Sequence, residues 1–301
     1  MQSFDDVVKF DDLVYDVGMH KGEDTEFYLK KGFRVVAFEA DPDLAQHCRE
    51  RFKEYIANGR LSIIEGAIID LDTVENKDKK TITFYKNDGM SVLGTINANW
   101  AERNEFLGSP SNGTIEVRVL DFVDEVRKYG IPHYMKIDIE GSDMVCVNAL
   151  KQFSKRPDYV SIESDKTSLT KILDEIDTFA ELGYDHFKAV EQSDIPFVQT
   201  PPYPASEGSY TPDHRFELGC TGLFGSELRG WKSKQGIVLQ YYIIGLSYYL
   251  LGDRGVMEAW SFKGAWVFRA MVRRTLRLFT RATVPGWYDT HARHSSVAAG
   301  K

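Results

Sequence analysis

The chain has 301 residues, which is enough for one large domain or for one domain with an appended lobe. Hydrophobic residues make up 43% of it, so a proper core is available and wholesale disorder is excluded. Its formal net charge of −8 argues against nucleic acid as a partner, because phosphate binding needs a basic surface.

Up to about residue 192, short apolar runs alternate with amphipathic stretches. The apolar runs predict strands at residues 13–17, 35–39, 61–65, 80–86, 114–120, 134–139 and 159–163. Helical spacing and capping residues predict helices that end at Gly32 and near Gly130, and further helices at residues 43–57, 144–153 and 169–180. Such alternation is typical of a mostly parallel sheet with helices on both faces, so we predict a Rossmann-like α/β fold.

The character of the sequence changes after residue 192. Residues 194–212 contain half of the ten prolines and no apolar periodicity, which predicts a long loop. Residues 236–252 are very apolar but shorter than the ~20 residues of a membrane span, so a buried or interface helix is favoured. Residues 267–282 carry five arginines, which favour a packing helix with a solvated basic face over contact with a membrane surface or an anionic substrate. We therefore divide the chain into a ligand-binding domain at residues 1–192 and a helical C-terminal extension at residues 193–301.

The cysteines and the first residues of the chain indicate a reducing compartment. Cys48, Cys146 and Cys220 are odd in number and far apart, so they predict neither a disulfide framework nor a zinc site. The N-terminal segment lacks the basic and apolar regions of a secretory signal. We therefore expect a cytoplasmic protein with reduced thiols.

A glycine-containing turn follows the first predicted strand. Ligands of parallel sheets bind at the carboxyl ends of the strands. Here the strand runs into Asp16, Gly18 and Gly22, where glycine lets the backbone approach a ligand and lets the next helix begin close to the sheet. A nicotinamide-binding turn would need a further glycine and would place a phosphate at the helix N-terminus. An acid before the first glycine suits instead a ligand with an amino group, such as the methionine part of S-adenosylmethionine.

The second and third strands also end in residues that suit a nucleoside. Glu39 lies 21 positions after the first glycine of the turn, close to the spacing at which an acid reaches ribose hydroxyls, although it also fits a solvated strand end. Ala40 follows it, and Asp41 is expected to cap the next helix. After the third strand, Gly66 and Ala67 either let an adenine ring lie against the backbone or form a plain turn.

The strand at residues 134–139 has an unusual pattern. A strand covered on both faces should be continuously apolar, yet Lys136, Asp138 and Glu140 alternate with apolar residues and so share one face. Burying an unpaired carboxylate costs on the order of several kcal/mol. The acids therefore pair with Lys136 or serve a ligand, unless this is a solvated edge strand. Glu163 ends the next strand, so we expect these acids to surround one pocket.

These acids and one histidine are the candidates for catalysis. The cluster could orient a hydroxyl nucleophile, bind the amino group of a cofactor or hold Mg²⁺ through oxygen ligands. A hydroxyl acceptor needs a base within hydrogen-bond reach, or a bound metal, to lose its proton. His20 lies in the glycine turn and is the best placed histidine, although a single histidine is more often structural. We therefore name Asp138, Glu140 and His20 as candidate catalytic residues.

Three segments of the sequence resemble the FkbM-type methyltransferases. They are Asp16 to Gly22, Phe38-Glu39-Ala40-Asp41-Pro42, and Lys136-Ile137-Asp138-Ile139-Glu140-Gly141 with the later Val160-Ser161-Ile162-Glu163. The resemblance covers about residues 12–192 and implies a Rossmann-like fold, S-adenosylmethionine as cofactor, and O-methylation of a sugar, glycan or natural-product hydroxyl. It also implies that Asp16, Gly18, Gly22 and Glu39 contact the cofactor, and that Asp138 and Glu140 line the reaction pocket.

Some features depart from this pattern. His20 stands where many such proteins have a small or amide residue, and residues 193–301 lie outside the common core, so acceptor specificity could lie there. Two other functions remain as alternatives. One is a nicotinamide-dependent oxidoreductase, and the other is a catalytically inactive membrane- or protein-binding module that uses the basic tail.

Overall fold

The structure is a computed structural model. It describes residues 6–87, 94–96, 102, 113–139, 141–164, 168–197, 203–251, 255–257, 264–280 and 288–297.

Eleven strands are formed by the described residues. They are β1 (Lys9–Val17), β2 (Arg34–Glu39), β3 (Leu61–Glu65), β4 (Ala67–Ile68), β5 (Thr81–Lys86), β6 (Gly113–Leu120), β7 (Ile131–Ile137), β8 (Tyr159–Glu163), β9 (Tyr184–Glu191), β10 (Lys232–Ser233) and β11 (Tyr288–His294). Eight of them form one sheet in the order β10-β9-β11-β8-β7-β1-β2-β3, and β4, β6 and β5 form a second, smaller sheet. The predicted α/β class is confirmed, since neighbouring strands from β3 through β8 in the main sheet are all parallel.

The described helices lie between the strands and in the C-terminal region. They are α1 (Glu23–Lys30), α2 (Pro42–Arg51), α3 (Lys53–Ala57), α4 (Phe122–Tyr129), α5 (Asp143–Ala149), α6 (Leu169–Glu181), α7 (Lys234–Leu251) and α8 (Ala265–Thr280). Asp41 caps α2 and Asp121 caps α4 through hydrogen bonds from backbone N–H groups, as their sequence positions predict. The helix predicted at residues 43–57 is divided in two at Phe52. Within the described chain, no helix is both long and apolar enough to span a bilayer.

The order of the strands creates a crevice at the centre of the sheet. From β1 the chain proceeds outward on one side through β2 and β3, and on the other side through β7 and β8. Strands β1 and β7 are therefore neighbours at the point where the strand order reverses. In open α/β sheets ligands bind outside the carboxyl ends of the strands at such a point. This geometry brings the residues after Val17 next to those after Ile137.

The C-terminal region takes part in the main sheet, which corrects the expected division at residue 192. Strand β11 lies between β8 and β9 and pairs antiparallel with both. Strand β10 pairs with β9 at the edge. Residues 193–301 are thus not simply an appended extension, because the sheet of the first region is completed by strands from the second.

Both faces of the sheet are covered by apolar side chains. In β1, Leu13, Tyr15 and Val17 join a core formed with helices α4, α5, α6 and α7, while Val14 points to the opposite face. The second core contains residues of α1 and, from the segment after residue 192, Phe216 and Phe224. The burial of Phe216 and Phe224 in this second core fixes the segment after residue 192 against the sheet.

Candidate active site

The turn after β1 is held in place by its neighbours on both sides. The backbone N–H groups of Gly18 and Met19 both donate to the carbonyl oxygen of Phe38, at 3.0 Å. Gly18 has a φ of 85°, and a Cβ at this position would lie 1.9 Å from the carbonyl oxygen of Asp138. A glycine is therefore required here by the close approach of the ends of β1 and β7. Gly22 faces a similar constraint, because a Cβ there would lie 2.4 Å from the ring of Phe52.

Glu39 at the end of β2 connects the glycine turn to the following helix. One carboxylate oxygen accepts a hydrogen bond from the backbone N–H of His20 at 2.8 Å, and the other accepts one from Asp41 at 2.9 Å. Burial raises the pKa of Glu39 to about 7, although these two N–H donors favour its charged form. Glu39 is thus a buried acceptor at the edge of the crevice rather than a solvated strand end.

Gly66 and Ala67 lie where the chain passes from β3 into the small sheet. A Cβ on Gly66 would be 2.8 Å from the carbonyl oxygen of Arg118, and Ala67 pairs with Val119 in β6. Packing against β6 is therefore a sufficient reason for both small residues. Their contact with an adenine ring stays a prediction.

A buried lysine links the ends of β1 and β7. The Lys136 ammonium donates to the carbonyl oxygen of Gly18 at 2.6 Å and lies 3.3 Å from Asp16 and 3.6 Å from Asp138. Asp16 is fully buried and also accepts a hydrogen bond from Thr25 at 2.6 Å. Burial would lower the pKa of Lys136, but the nearby carboxylates outweigh this and raise it well above its usual range. Of the acids in the alternating strand pattern, Asp138 pairs with Lys136, as one of the two sequence interpretations predicted.

The exposure of the two carboxylates beside Lys136 is very different. The Asp16 side chain is 0% exposed, whereas that of Asp138 is 35% exposed. Strand β7 ends at Ile137, one residue before Asp138 and two residues earlier than predicted, so Asp138 follows the strand. Asp138 is therefore the acid of this group that a molecule in the crevice can reach.

Further acids lie close to this group, and the sequence interpretation did not identify them. Asp24 on α1 accepts hydrogen bonds from the backbone N–H of Thr221, and burial raises its pKa to about 7. Asp289 on β11 is directly opposite Glu163 on β8. Burial, together with the charges of Asp138 and Glu163, raises the pKa of Asp289 well above its usual range. Both sets of contacts join distant parts of the chain, so no local motif indicates them.

The remaining candidates have different positions. His20 adopts a positive φ of 51°, and its Nδ1 is 3.4 Å from the carboxylate of Glu23 at the start of α1. Glu140, which was expected to share the face of Asp138, lies outside the described residues. Within the described ranges, no group of three or more His, Cys, Asp or Glu side chains has a geometry that could hold a metal ion.

The model of the FkbM methyltransferase domain matches residues 16–185, which is more than half of the chain. The chain belongs to the FkbM methyltransferase family. Residues 16–185 thus carry an FkbM methyltransferase domain, in agreement with the S-adenosylmethionine-dependent methyltransferase that the glycine turn and the strand-end acids predicted. The match favours the predicted methyltransferase over the nicotinamide-dependent oxidoreductase.

Individual proteins show weaker similarity to this methyltransferase. The probable ribosomal RNA small subunit methyltransferase A of Haloarcula marismortui is 42% identical over 59 residues, which are 20% of this chain and 21% of the relative. The chain thus spans about a fifth of the length of the curated relative it matches. The solved structure of methyltransferase FkbM from Methylobacillus flagellatus is 17% identical, with a TM-score of 0.37 over 61% of this chain and 41% of that one. A methyltransferase from Geobacter sulfurreducens in complex with S-adenosyl-L-homocysteine is 10% identical, with a TM-score of 0.33 over 95% and 86% of the two chains.

The two carboxylates at the crevice differ in their capacity to accept further hydrogen bonds from S-adenosylmethionine. Each Glu39 oxygen accepts one backbone N–H, and a carboxylate has about four acceptor sites, so capacity remains for two adjacent ribose hydroxyls. Asp16 offers less, because its oxygens already contact Thr25 and Lys136 and no part of the side chain is exposed. Of the two acids, Glu39 therefore has the greater remaining capacity to accept hydrogen bonds, and the contacts of both acids with the cofactor stay predictions.

Proposed function

We propose that this methyltransferase methylates a hydroxyl group of a sugar, a glycan or a natural product, and that Asp138 assists the loss of the hydroxyl proton. The observation that carries the proposal is the position of Asp138. Its carboxylate is partly exposed, directly follows β7 at the reversal of the strand order, and lies beside the loop that the cofactor residues form. Of the described acids near it, Asp16, Asp24 and Asp289 are buried.

Bound S-adenosylmethionine supplies an activated methyl group, so the chain has to align the acceptor and to accept its proton. A protonated sugar hydroxyl is a poor nucleophile, and a carboxylate within hydrogen-bond reach makes it a better one. Lys136 positions the Asp138 carboxylate, because its ammonium contacts Asp138 together with Asp16 and the carbonyl oxygen of Gly18. Such contacts fix the distance between the base and the glycine turn.

The test of Asp138 is the transfer of a labelled methyl group to a panel of nucleotide sugars, lipid-linked glycans and hydroxylated natural products. With the acceptor found in this way, Asp138→Asn keeps the shape of the side chain and removes its charge. We expect turnover to fall by ~10²-fold or more, the lower end of the loss for a general base. Binding of S-adenosylhomocysteine, measured by calorimetry, should change little.

A matched control comes from the other end of the same sheet. Asp11 lies near the start of β1 and is exposed, so Asp11→Asn removes an equal charge far along the strand from the turn. We expect it to leave turnover unchanged. A folded Asp138→Asn protein with wild-type turnover would show that Asp138 is structural. Loss of transfer on treatment with EDTA, restored by Mg²⁺, would instead favour the metal-dependent alternative.

The cofactor contact is tested separately at Glu39. Glu39→Ala removes the proposed ribose ligand and should weaken S-adenosylhomocysteine binding by ~1.5–3 kcal/mol, the range for hydrogen bonds to charged groups. Glu65→Gln at the end of β3 is the control, because this acid ends a neighbouring strand but pairs with Arg49 at the surface. Equal binding by wild type and Glu39→Ala would remove Glu39 from the site.

A further inference from the structure

Within the part of the chain that the structure describes, helix α7 packs one of its two apolar faces and exposes the other. The buried face contributes Ile237, Tyr241, Ile244, Ser247 and Leu251, and this side of the helix contacts α6 and β9. On the opposite side, five large apolar residues are exposed at helical spacing. They are Leu239, Tyr242, Ile243, Leu246 and Tyr249, with exposures from 41% to 65%. A stripe of this length is unusual on the surface of a protein without a partner.

Helix α8 contacts α7 and extends the exposed surface. Its first two turns expose Trp266, Val267, Phe268 and Met271, with Trp266 at 71%. Val267, Met271 and Arg274 share a helix face, each about one turn after the one before it. The tail surface is defined as the exposed apolar residues of α7 and α8 named above together with Arg273 and Arg274. The prediction of a packing helix with a solvated basic face did not include these large apolar side chains, which α8 also exposes.

The charge of the tail surface is opposite to that of the protein. Helices α7 and α8 contain five basic residues and no acidic residue, whereas the whole chain has a net charge of −8. Tyrosine and tryptophan with an apolar body and a polar tip are also enriched where proteins meet the interface of a bilayer. Arginines beside exposed apolar and aromatic residues are typical of helices that lie in the plane of an anionic membrane.

We propose that the tail surface binds the headgroup region of a membrane that contains anionic lipids. Attachment is peripheral, because no described helix could span a bilayer. A second copy of the chain fits less well, since a two-fold contact would bring the same positive helices against each other. Anionic headgroups complement the arginines, and the apolar stripe of α7 enters the boundary of the acyl chains. This proposal goes beyond the proposed function and does not depend on the acceptor.

The experiment is co-sedimentation of the full chain with phosphatidylcholine vesicles, with and without phosphatidylglycerol. We expect binding to the anionic vesicles, weaker binding at high salt, and a blue shift of Trp266 fluorescence that is lost in Trp266→Phe. Neutralising Arg273 and Arg274 by Gln should lower the partition coefficient about five-fold for each charge. Leu246→Gln should lower it roughly ten-fold or more, as expected for one buried leucine.

The control is a variant with Lys53→Gln and Lys128→Gln. These lysines are exposed on α3 and α4, outside the tail surface, so the same loss of two charges should have little effect. Circular dichroism and S-adenosylhomocysteine binding confirm that each variant is folded.

Three results would overturn the proposal. The first is absence of binding to anionic vesicles, and the second is an equal loss in the control variant. The third is a dimer in sedimentation velocity that Leu246→Gln abolishes while vesicles do not bind, which would assign the tail surface to a second copy. Methyl transfer is not part of the readout, so failure here leaves the proposed function unaffected.

Discussion

Replacing Lys136 with Met tests whether the buried lysine holds the centre of the site together. The methionine side chain occupies a similar volume but has no charge. It would leave the Asp16 carboxylate, which is 0% exposed, without its ion-pair partner, and the carbonyl oxygen of Gly18 without its donor. The substitution therefore removes three contacts of one ammonium without opening a large cavity.

The expected cost follows from the burial of the pair. Breaking a buried ion pair by removing one partner typically costs ~3–5 kcal/mol, because the remaining charge is buried and uncompensated. That is a large share of the ~5–15 kcal/mol by which domains are stable. Lys151→Met gives the scale for a surface pair, since Lys151 lies 3.9 Å from Glu181 with 39% of its side chain exposed. Exposed pairs contribute ~0–1 kcal/mol.

The assay is urea unfolding followed by circular dichroism, with a double-mutant cycle. Asp16→Asn alone leaves Lys136 with Asp138, whereas Asp16→Asn with Lys136→Met removes both buried charges. We expect the double variant to be more stable than the sum of the two single effects, by ~0.5–3 kcal/mol. Additive free energies, or a cost of Lys136→Met no larger than that of Lys151→Met, would refute the reasoning.

Three further predictions concern the glycine turn, His133 in β7 and strand β11. Gly18→Ala should destabilise the protein far more than Gly59→Ala. Both glycines have a positive φ, but of the two only Gly18 would place a Cβ against a backbone oxygen. Equal shifts of the melting temperature in the two variants would contradict this. His133 hydrogen-bonds to Asp158 and Glu207, which outweigh its burial and raise its pKa to about 9. The contribution of protonated His133 to the free energy of unfolding is complete below pH 6.5 and is lost as the pH rises through 9. Between these pH values the free energy of unfolding of the wild type, measured in urea, should fall by ~3 kcal/mol relative to that of His133→Gln. Parallel pH dependences of the two free energies would disprove this. Deleting residues 288–301 should prevent cooperative unfolding, because β8 and β9 lose the strand between them, whereas deleting residues 298–301 should not.

Much of the site follows from local sequence. The turn from Asp16 to Gly22, the end of β2 at Glu39 and the strand at Leu61–Glu65 were predicted because strands, caps and glycine turns depend on near neighbours. The alternation of Lys136 and Asp138 was also informative, since charges in a buried strand need partners. Of its two interpretations, pairing is seen, since Asp138 lies 3.6 Å from Lys136, whereas ligand binding stays a prediction.

The tertiary structure alone decided what each of these residues touches. The sequence indicates that the turn at residue 18 needs the conformational freedom of glycine. Only the pairing of β1 with β7 shows that the carbonyl oxygen of Asp138 occupies the space that a Cβ at Gly18 would take. The same applies to Asp16, which the sequence offered as a cofactor ligand and the fold buries against Thr25 and Lys136.

The division of the chain was the largest difference between prediction and structure. Strands β9 and β11 mix apolar residues irregularly with polar or charged ones, so neither appears in the sequence as an apolar run or as a regular alternation. Strand β11 pairs with Glu163 and its neighbours more than a hundred residues earlier, which no periodicity reveals. The sequence by itself determined the fold class, the cofactor and the residues at the strand ends, because these depend on local pattern. Only the tertiary structure placed strands β10 and β11, with Asp289, in the main sheet and left one face of α7 exposed, because these features depend on contacts between distant segments.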